Sequence, residues 1–67
     1  MITLQINGAY QAFDHSLNLA DLIQRLALAG KKLAIERNGE IVPRGQYAEC
    51  RVVDGDRLEI VVAVGGG

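Results

Sequence analysis

The feature of this sequence that most restricts its fold is a single amphipathic helical stripe. The stripe follows the helical spacing i, i+3, i+4 and i+7, and consists of Leu19, Leu22, Ile23 and Leu26. One apolar stripe can be buried against only one other layer. The rest of the chain alternates in the manner of strands, so the sequence predicts an α+β fold in which one helix covers one face of a sheet.

The ends of this helix carry recognisable signals. Asn18 is a plausible N-cap, and Asp21 follows it three residues later, as in a capping box with shorter side chains. Gly30 is the predicted left-handed residue beyond the C-terminus. Lys31 and Lys32 would then lie near the negative end of the helix dipole.

Five segments have the composition and period of strands. Two Asn-Gly pairs, at positions 7–8 and 38–39, are strong signals for type I′ hairpin turns. The predicted strands are residues 2–6, 9–13, 33–35, 40–42 and 57–63. Their order predicts a ubiquitin-like β-grasp fold, in which a mixed sheet packs on one helix. The first and last strands would then be parallel neighbours at the centre of the sheet.

The last predicted strand has two distinct faces. Leu58, Ile60 and Val62 alternate with Glu59, Val61 and Ala63. If the first set faces the core, then Val61 and Ala63, with Val64 beyond them, form an exposed aliphatic patch. Such a patch suggests a docking surface for a partner, and ordinary strand filler is the alternative.

Composition limits the class of protein. Sixty-seven residues predict one domain, 1–67, and the formal net charge of −1 argues against nucleic-acid binding. The single Cys50 suits a reducing compartment. The N-terminus has no signal-peptide pattern and no segment approaches the length of a membrane span, so we expect a cytoplasmic protein with no membrane partner.

The sequence ends with three glycines, and these together with Val64 are predicted to form a flexible C-terminal tail, residues 64–67. Fully extended, these four residues could reach roughly 13 Å. Glycine keeps the segment slim and unrestrained, and a free carboxylate would stand at its tip. The tail is therefore either a thin arm that presents this carboxylate or an ordinary frayed end.

Other chemistry finds little support in the sequence. Cys50 and His15 could form a thiolate–imidazole pair, but no third residue is placed to orient them. One cysteine and one histidine are too few for a metal site. Asp54-Gly55-Asp56 resembles half of a calcium loop, yet a tight turn explains it sufficiently. We therefore expect no catalytic residue and no bound metal.

Several stretches together resemble the ThiS family, the bacterial sulfur carriers of thiamine biosynthesis. They are Glu36-Arg37-Asn38-Gly39-Glu40-Ile41-Val42-Pro43-Arg44, then Asp54-Gly55-Asp56, then the ending Val64-Gly65-Gly66-Gly67. The resemblance implies a β-grasp carrier that is not itself an enzyme. It also implies no bound cofactor, with ATP and magnesium used by the activating partner.

The resemblance further implies three partners. An E1-like adenylyltransferase (ThiF-like) would adenylate the carboxylate of Gly67, and a cysteine desulfurase would supply the sulfur for a thiocarboxylate. Thiazole synthase (ThiG-like) would then receive that sulfur. Gly66 and Gly67 match the obligatory glycine pair of the family, because each partner must thread the tail into a narrow channel. Gly65 matches a third glycine that is common in the family but less strictly required.

Two other functions stay open on the sequence alone. The first is a sibling carrier with the same terminal chemistry, namely the small subunit of molybdopterin synthase or a tRNA-thiolation carrier. The second is a non-covalent binding module like the TGS domain, which has no use for a free Gly-Gly end. Arg37 and Arg44 could pair with acidic groups on a partner, and solvated surface charge is the alternative for each.

Overall fold

The computed structural model describes residues 1–63, and residues 64–67 lie outside the described part. Five strands and one α-helix make up the fold, with a 3₁₀ turn at Arg44–Gln46. The elements in chain order are β1 (Ile2–Ile6), β2 (Ala9–Phe13), α1 (Leu19–Arg25), β3 (Leu33–Arg37), β4 (Glu40–Val42) and β5 (Arg57–Val62).

The sheet has the strand order β2-β1-β5-β3-β4, with β5 in the middle. β1 and β5 are parallel, whereas the β1–β2, β3–β4 and β3–β5 pairs are antiparallel. This is the β-grasp arrangement that the order of elements predicted. The strand that leads toward the C-terminus therefore runs through the centre of the sheet.

The core lies between α1 and one face of the sheet. Its side chains come from every part of the described chain and are almost entirely aliphatic, apart from Tyr47. The fully buried members are Leu4, Leu19, Leu22, Ile35, Val52 and Leu58. Since Leu58 and Ile60 face this core, the predicted orientation of the last strand is confirmed.

The helix ends earlier than the glycine signal predicted, and in a different way. α1 stops at Arg25, and Ala27, with φ of 60°, is the left-handed residue beyond it. The N–H of Ala27 donates to Gln24 O at 3.0 Å and that of Leu28 to Ile23 O at 2.9 Å, the bond pattern of a Schellman motif. The prediction of Gly30 for this position was wrong.

The left-handed alanine is retained because its neighbour is packed. Leu28 follows Ala27 and packs against the core, as does Ile23 one turn earlier, which is the apolar contact that accompanies this motif. A non-glycine residue in this conformation costs about 1 kcal/mol. Gly30, with φ of 84°, serves the following turn instead.

Both Asn-Gly turns form as predicted, and their asparagines also hold β5. Asn7 has φ of 50°; its side chain accepts from Ile60 N at 2.7 Å and donates to Ile60 O at 3.1 Å. Asn38, with φ of 51°, accepts from Arg57 N at 2.9 Å. The two turns therefore bind the central strand from both sides.

Asp56 is the buried polar group that joins these elements. Its carboxylate accepts from Arg37 Nε at 2.9 Å, Asn38 Nδ2 at 3.0 Å and Val53 N at 2.9 Å. Burial alone would raise the pKa of Asp56, but the hydrogen bonds from Val53, Asn38 and Arg37 hold its pKa below the usual value. The start of β5 is thus fixed by a charged, fully hydrogen-bonded cluster.

Candidate functional site at the end of the central strand

The end of β5 is the position from which the chain continues to residues 64–67. β3 supports β5 up to this point, because Val62 lies opposite Leu33 and the N–H of Ala63 donates to Lys32 O at 2.8 Å. On the other side, the parallel pairing with β1 covers only Arg57 and Leu58. The last described residues therefore follow a central strand that is anchored as far as Ala63.

Two members of the predicted docking patch are exposed in the residues that the structure describes, and their docking role stays a prediction. Val61 is 66% exposed and lies opposite Ala34 on the sheet face that α1 leaves uncovered. Ala63 is also exposed, although it falls just past β5, which ends one residue earlier than predicted. Val64, the third predicted member, lies outside the described residues.

The same open face carries an acidic pair that sequence reasoning missed. Glu36 and Glu59 are directly opposite one another on β3 and β5, and Ile41, 66% exposed, lies opposite Glu36 on β4. Like charges in facing positions oppose sheet formation. Alternation within one strand could show that Glu59 and Val61 share a face. It could not show that Glu36 lies beside them, because that depends on the strand register.

The tail residues Gly65, Gly66 and Gly67 also lie outside the described part of the chain. Their assignment as the tail that enters a partner, and that of Gly67 as the modified terminus, stay predictions. The described residues show only what precedes them, a central strand and an exposed apolar patch.

The remaining sequence candidates are two arginines, one cysteine and one histidine. The guanidinium of Arg37 pairs with Asp56 and also donates to Cys50 Sγ at 3.4 Å, and its pairing with an acidic group of a partner stays a prediction. Cys50 is partly buried against the core, whereas His15 is exposed. Arg44 is exposed at the edge of a surface pocket.

The Asp54-Gly55-Asp56 segment is a turn, and each of its two carboxylates accepts hydrogen bonds from elsewhere in the protein. Asp54 Oδ1 accepts from Thr3 N at 2.7 Å, and Gly55 supplies a φ of 90°. Within residues 1–63, no group of three or more His, Cys, Asp or Glu side chains is arranged to hold a metal ion. The described residues also include no helix that is long and apolar enough to cross a membrane.

Comparison with known proteins identifies close relatives along the full chain. The profile of the ThiS family matches residues 4–67. The sulfur carrier protein ThiS of Bacillus subtilis is 37% identical over 65 residues, which cover 96% of this chain and 98% of that protein. A crystal structure of the thiamine biosynthesis protein (ThiS) from Geobacter metallireducens has a TM-score of 0.84 at 33% identity, covering 98% of this chain and 100% of that one.

Larger relatives contain a similar segment. A thiazole synthase of Paramagnetospirillum magneticum is 47% identical over 64 residues, which cover 96% of this chain and 20% of that protein. A thiazole synthase of Magnetococcus marinus matches at 33% identity over the same share of its length. The chain therefore spans about a fifth of the length of these two relatives.

A mixed five-stranded sheet on one helix, with β5 central and parallel to β1, defines the class as a ubiquitin-like β-grasp protein. The family match and the near-complete overlap with the Bacillus protein make the assignment specific. The chain belongs to the ThiS family.

Proposed function

We propose that this protein is the sulfur carrier of thiamine biosynthesis and carries sulfur as a thiocarboxylate on Gly67. The observation that supports this most strongly is the position of β5, the central strand of the sheet, which precedes the glycine segment by only two residues of the sequence. A folded domain followed by a slim glycine segment suits a carrier whose C-terminus must enter the active sites of its partners. The protein would act as a co-substrate and not as an enzyme.

The chemistry of the proposed charging explains why a partner is needed. A carboxylate is a poor electrophile, because its leaving group would be oxide. An E1-like adenylyltransferase would use ATP and magnesium to form an acyl adenylate at Gly67 and release pyrophosphate. The terminal sulfur of a cysteine desulfurase persulfide would then attack the acyl carbon and displace AMP, and free thiols would reduce the resulting acyl disulfide to the thiocarboxylate while becoming a disulfide themselves. Side chains at Gly66 or Gly67 would obstruct the narrow channel that this reaction requires.

The proposed acceptor is a thiazole synthase. Two proteins of that name contain a segment similar to this chain, at 47% and 33% identity. A sulfur donor and its acceptor benefit from being joined, because linkage raises the effective concentration of one at the other. That segment supports the assignment of a thiazole synthase as the partner that takes the sulfur.

Intact-protein mass spectrometry tests the proposed charging. The carrier, ending at Gly67, is incubated with an E1-like adenylyltransferase, ATP, magnesium and a desulfurase with cysteine. We expect the mass to rise by the difference between one sulfur and one oxygen, and to return to its original value when thiazole synthase and its other substrates are added. No mass gain with any such enzyme would contradict the proposal.

The open sheet face would dock these partners through Val61 and Ala63, with Val64 as the third predicted contact. Replacing Val61 with threonine keeps the shape and exchanges a methyl group for a hydroxyl. Burying that hydroxyl without a hydrogen-bond partner should weaken binding about tenfold. Isothermal titration calorimetry against the adenylyltransferase and the thiazole synthase measures this loss.

The matched control for Val61 is Val53→Thr. Val53 is also an exposed valine, 52% accessible, but it precedes the turn at the opposite end of β5. We expect this variant to bind with unchanged affinity. Equal losses in the two variants would place docking elsewhere on the molecule.

A further inference from the structure

A second surface lies at the same end of the molecule as the outgoing chain, on the side of the sheet that carries α1. It is a shallow pocket of about 460 Å³ between the loop after α1, the start of β3 and the 3₁₀ turn. We call it the basic pocket, and its lining is Ile23, Leu28, Gly30, Lys31, Lys32, Leu33, Arg44 and Tyr47.

The charged residues that line the basic pocket are all positive. Three of its lining residues are cations, Lys31, Lys32 and Arg44, and none is a carboxylate. All three are exposed, in a chain whose formal net charge is −1. α1 ends at Arg25, and Lys31 and Lys32 follow in the loop that leads to β3.

The floor of the basic pocket is apolar. Leu28 and Leu33 are partly buried against the core, and Tyr47 is buried beneath them. An apolar floor inside a cationic rim fits a peptide that inserts an aliphatic or aromatic side chain while its acidic residues meet the rim. A phosphate alone would leave the floor unused, and the net negative charge of the chain disfavours a polyanionic nucleic acid.

The location of the basic pocket indicates which protein supplies this peptide. Lys32 lines the pocket, and its backbone oxygen accepts the N–H of Ala63, the last described residue before the tail. A protein that receives the tail approaches the end of β5, and the pocket adjoins that end of the strand. We propose that the basic pocket binds an acidic segment of the protein that receives the tail; this part of the inference rests on the proposed function.

A peptide titration tests binding in the pocket without any charging reaction. Acetyl-Glu-Glu-Leu-Phe-Glu-Asp-amide is added to the ¹⁵N-labelled protein, and amide shifts are followed by NMR. We expect shifts centred on Leu28, Leu33 and Tyr47, with a dissociation constant of about 1 mM or tighter. The same peptide with glutamines and asparagine in place of its acidic residues should bind at least about tenfold more weakly.

Charge reversal with a matched control completes the test. The double variant Lys31→Glu and Arg44→Glu should bind the acidic peptide about tenfold more weakly than the unaltered protein. If this double variant fails to fold, the double variant Lys31→Gln and Arg44→Gln replaces it in the test. Arg25→Glu with Arg51→Glu makes the same change in net charge away from the pocket and should leave binding unchanged. Equal losses in both pairs, or shifts centred on Val61, would overturn the proposal.

Two further measurements separate the alternatives. Inorganic phosphate or a short RNA that displaces the peptide at equal concentration would assign the pocket to phosphate groups and overturn the proposal. In the charging assay, Lys31→Glu with Arg44→Glu should raise the KM for the carrier about tenfold while kcat is kept. If the unaltered carrier is never charged, the proposed function fails, and the peptide titration still decides whether the pocket binds an acidic segment.

Discussion

Deletion of Gly67 should abolish thiocarboxylate formation and leave the fold intact. The deletion withdraws the terminal carboxylate by about 3.3 Å along an extended chain. Misplacement of a reacting group by as little as 1 Å can cost about a hundredfold in rate. We therefore expect charging to fall by at least about a hundredfold, measured by intact-protein mass spectrometry under the conditions that charge the unaltered carrier.

The fold should survive because the described core does not depend on this residue. The buried side chains of residues 1–63 lie between Leu4 and Ile60, and the backbone bond of Ala63 to Lys32 precedes the tail. Circular dichroism and thermal unfolding should match those of the full chain. The control is Gly65→Ala, which keeps the length of the chain and should retain most of the charging.

Two results would contradict this prediction. Charging of the shortened chain at the original rate would show that the position of the terminal carboxylate is not critical. Unfolding of the shortened chain would show that the last residue has a structural role. In either case the assignment of Gly67 as the working terminus would have to be abandoned.

Much of the fold could be predicted from the sequence because its determinants are local. The spacing of Leu19, Leu22 and Ile23 defines the buried side of α1, and each Asn-Gly pair supplies two adjacent residues that tolerate positive φ. Only five strands and one apolar helical stripe had to be arranged. Alternation along β5 was also sufficient to predict the exposure of Val61.

The features that escaped prediction depend on contacts between distant segments. Ala27 adopts the left-handed conformation because Leu28 is held in the core, which overrides the local preference for glycine. Asn7 hydrogen-bonds to Ile60, which lies 53 positions away in the sequence. The Asn-Gly pair therefore predicted the turn but not this contact. The tail was identified from composition and from the family resemblance, with no help from the periodicity.

The candidate binding surfaces likewise have some features that are predictable from one strand and others that depend on distant segments. The exposure of Val61 could be predicted from alternation along β5, but the acidic pair on the same face requires the β3–β5 register. The basic pocket combines three separate segments, so the charges of Lys31 and Arg44 could not be associated from the sequence. Assembly of distant residues is therefore what the structure adds to the description of this protein.

Replacement of Asp56 by alanine should cost about 3 kcal/mol of the free energy of unfolding. The carboxylate is only 5% exposed and accepts three hydrogen bonds, including that of the Arg37 guanidinium. Its removal leaves those donors without an acceptor in a partly buried position. The loss is a large share of the 5–15 kcal/mol typical of a domain, and urea unfolding at pH 7 measures it.

The dependence of this loss on pH identifies the charge as its cause. The folded pKa of Asp56 lies below its usual value, so the carboxylate contributes stability above the unfolded pKa of about 3.9. That contribution disappears as the pH falls through the lower folded pKa. The difference in stability between the native protein and Asp56→Ala should therefore be constant from pH 7 to about 5 and narrow in stronger acid.

Asp54→Ala is the matched control within the same turn. Asp54 is exposed and accepts a single hydrogen bond, from Thr3 N, so its loss should cost about 1 kcal/mol. Equal losses of unfolding free energy in the two variants, or a stability difference that does not narrow in acid, would show that Asp56 contributes no special charge interaction.

Because Asp56 fixes the start of β5 and Ala63 marks its anchored end, replacing Asp56 should also loosen the strand that precedes the tail. Slower charging of Asp56→Ala at temperatures below its unfolding transition would follow from this coupling.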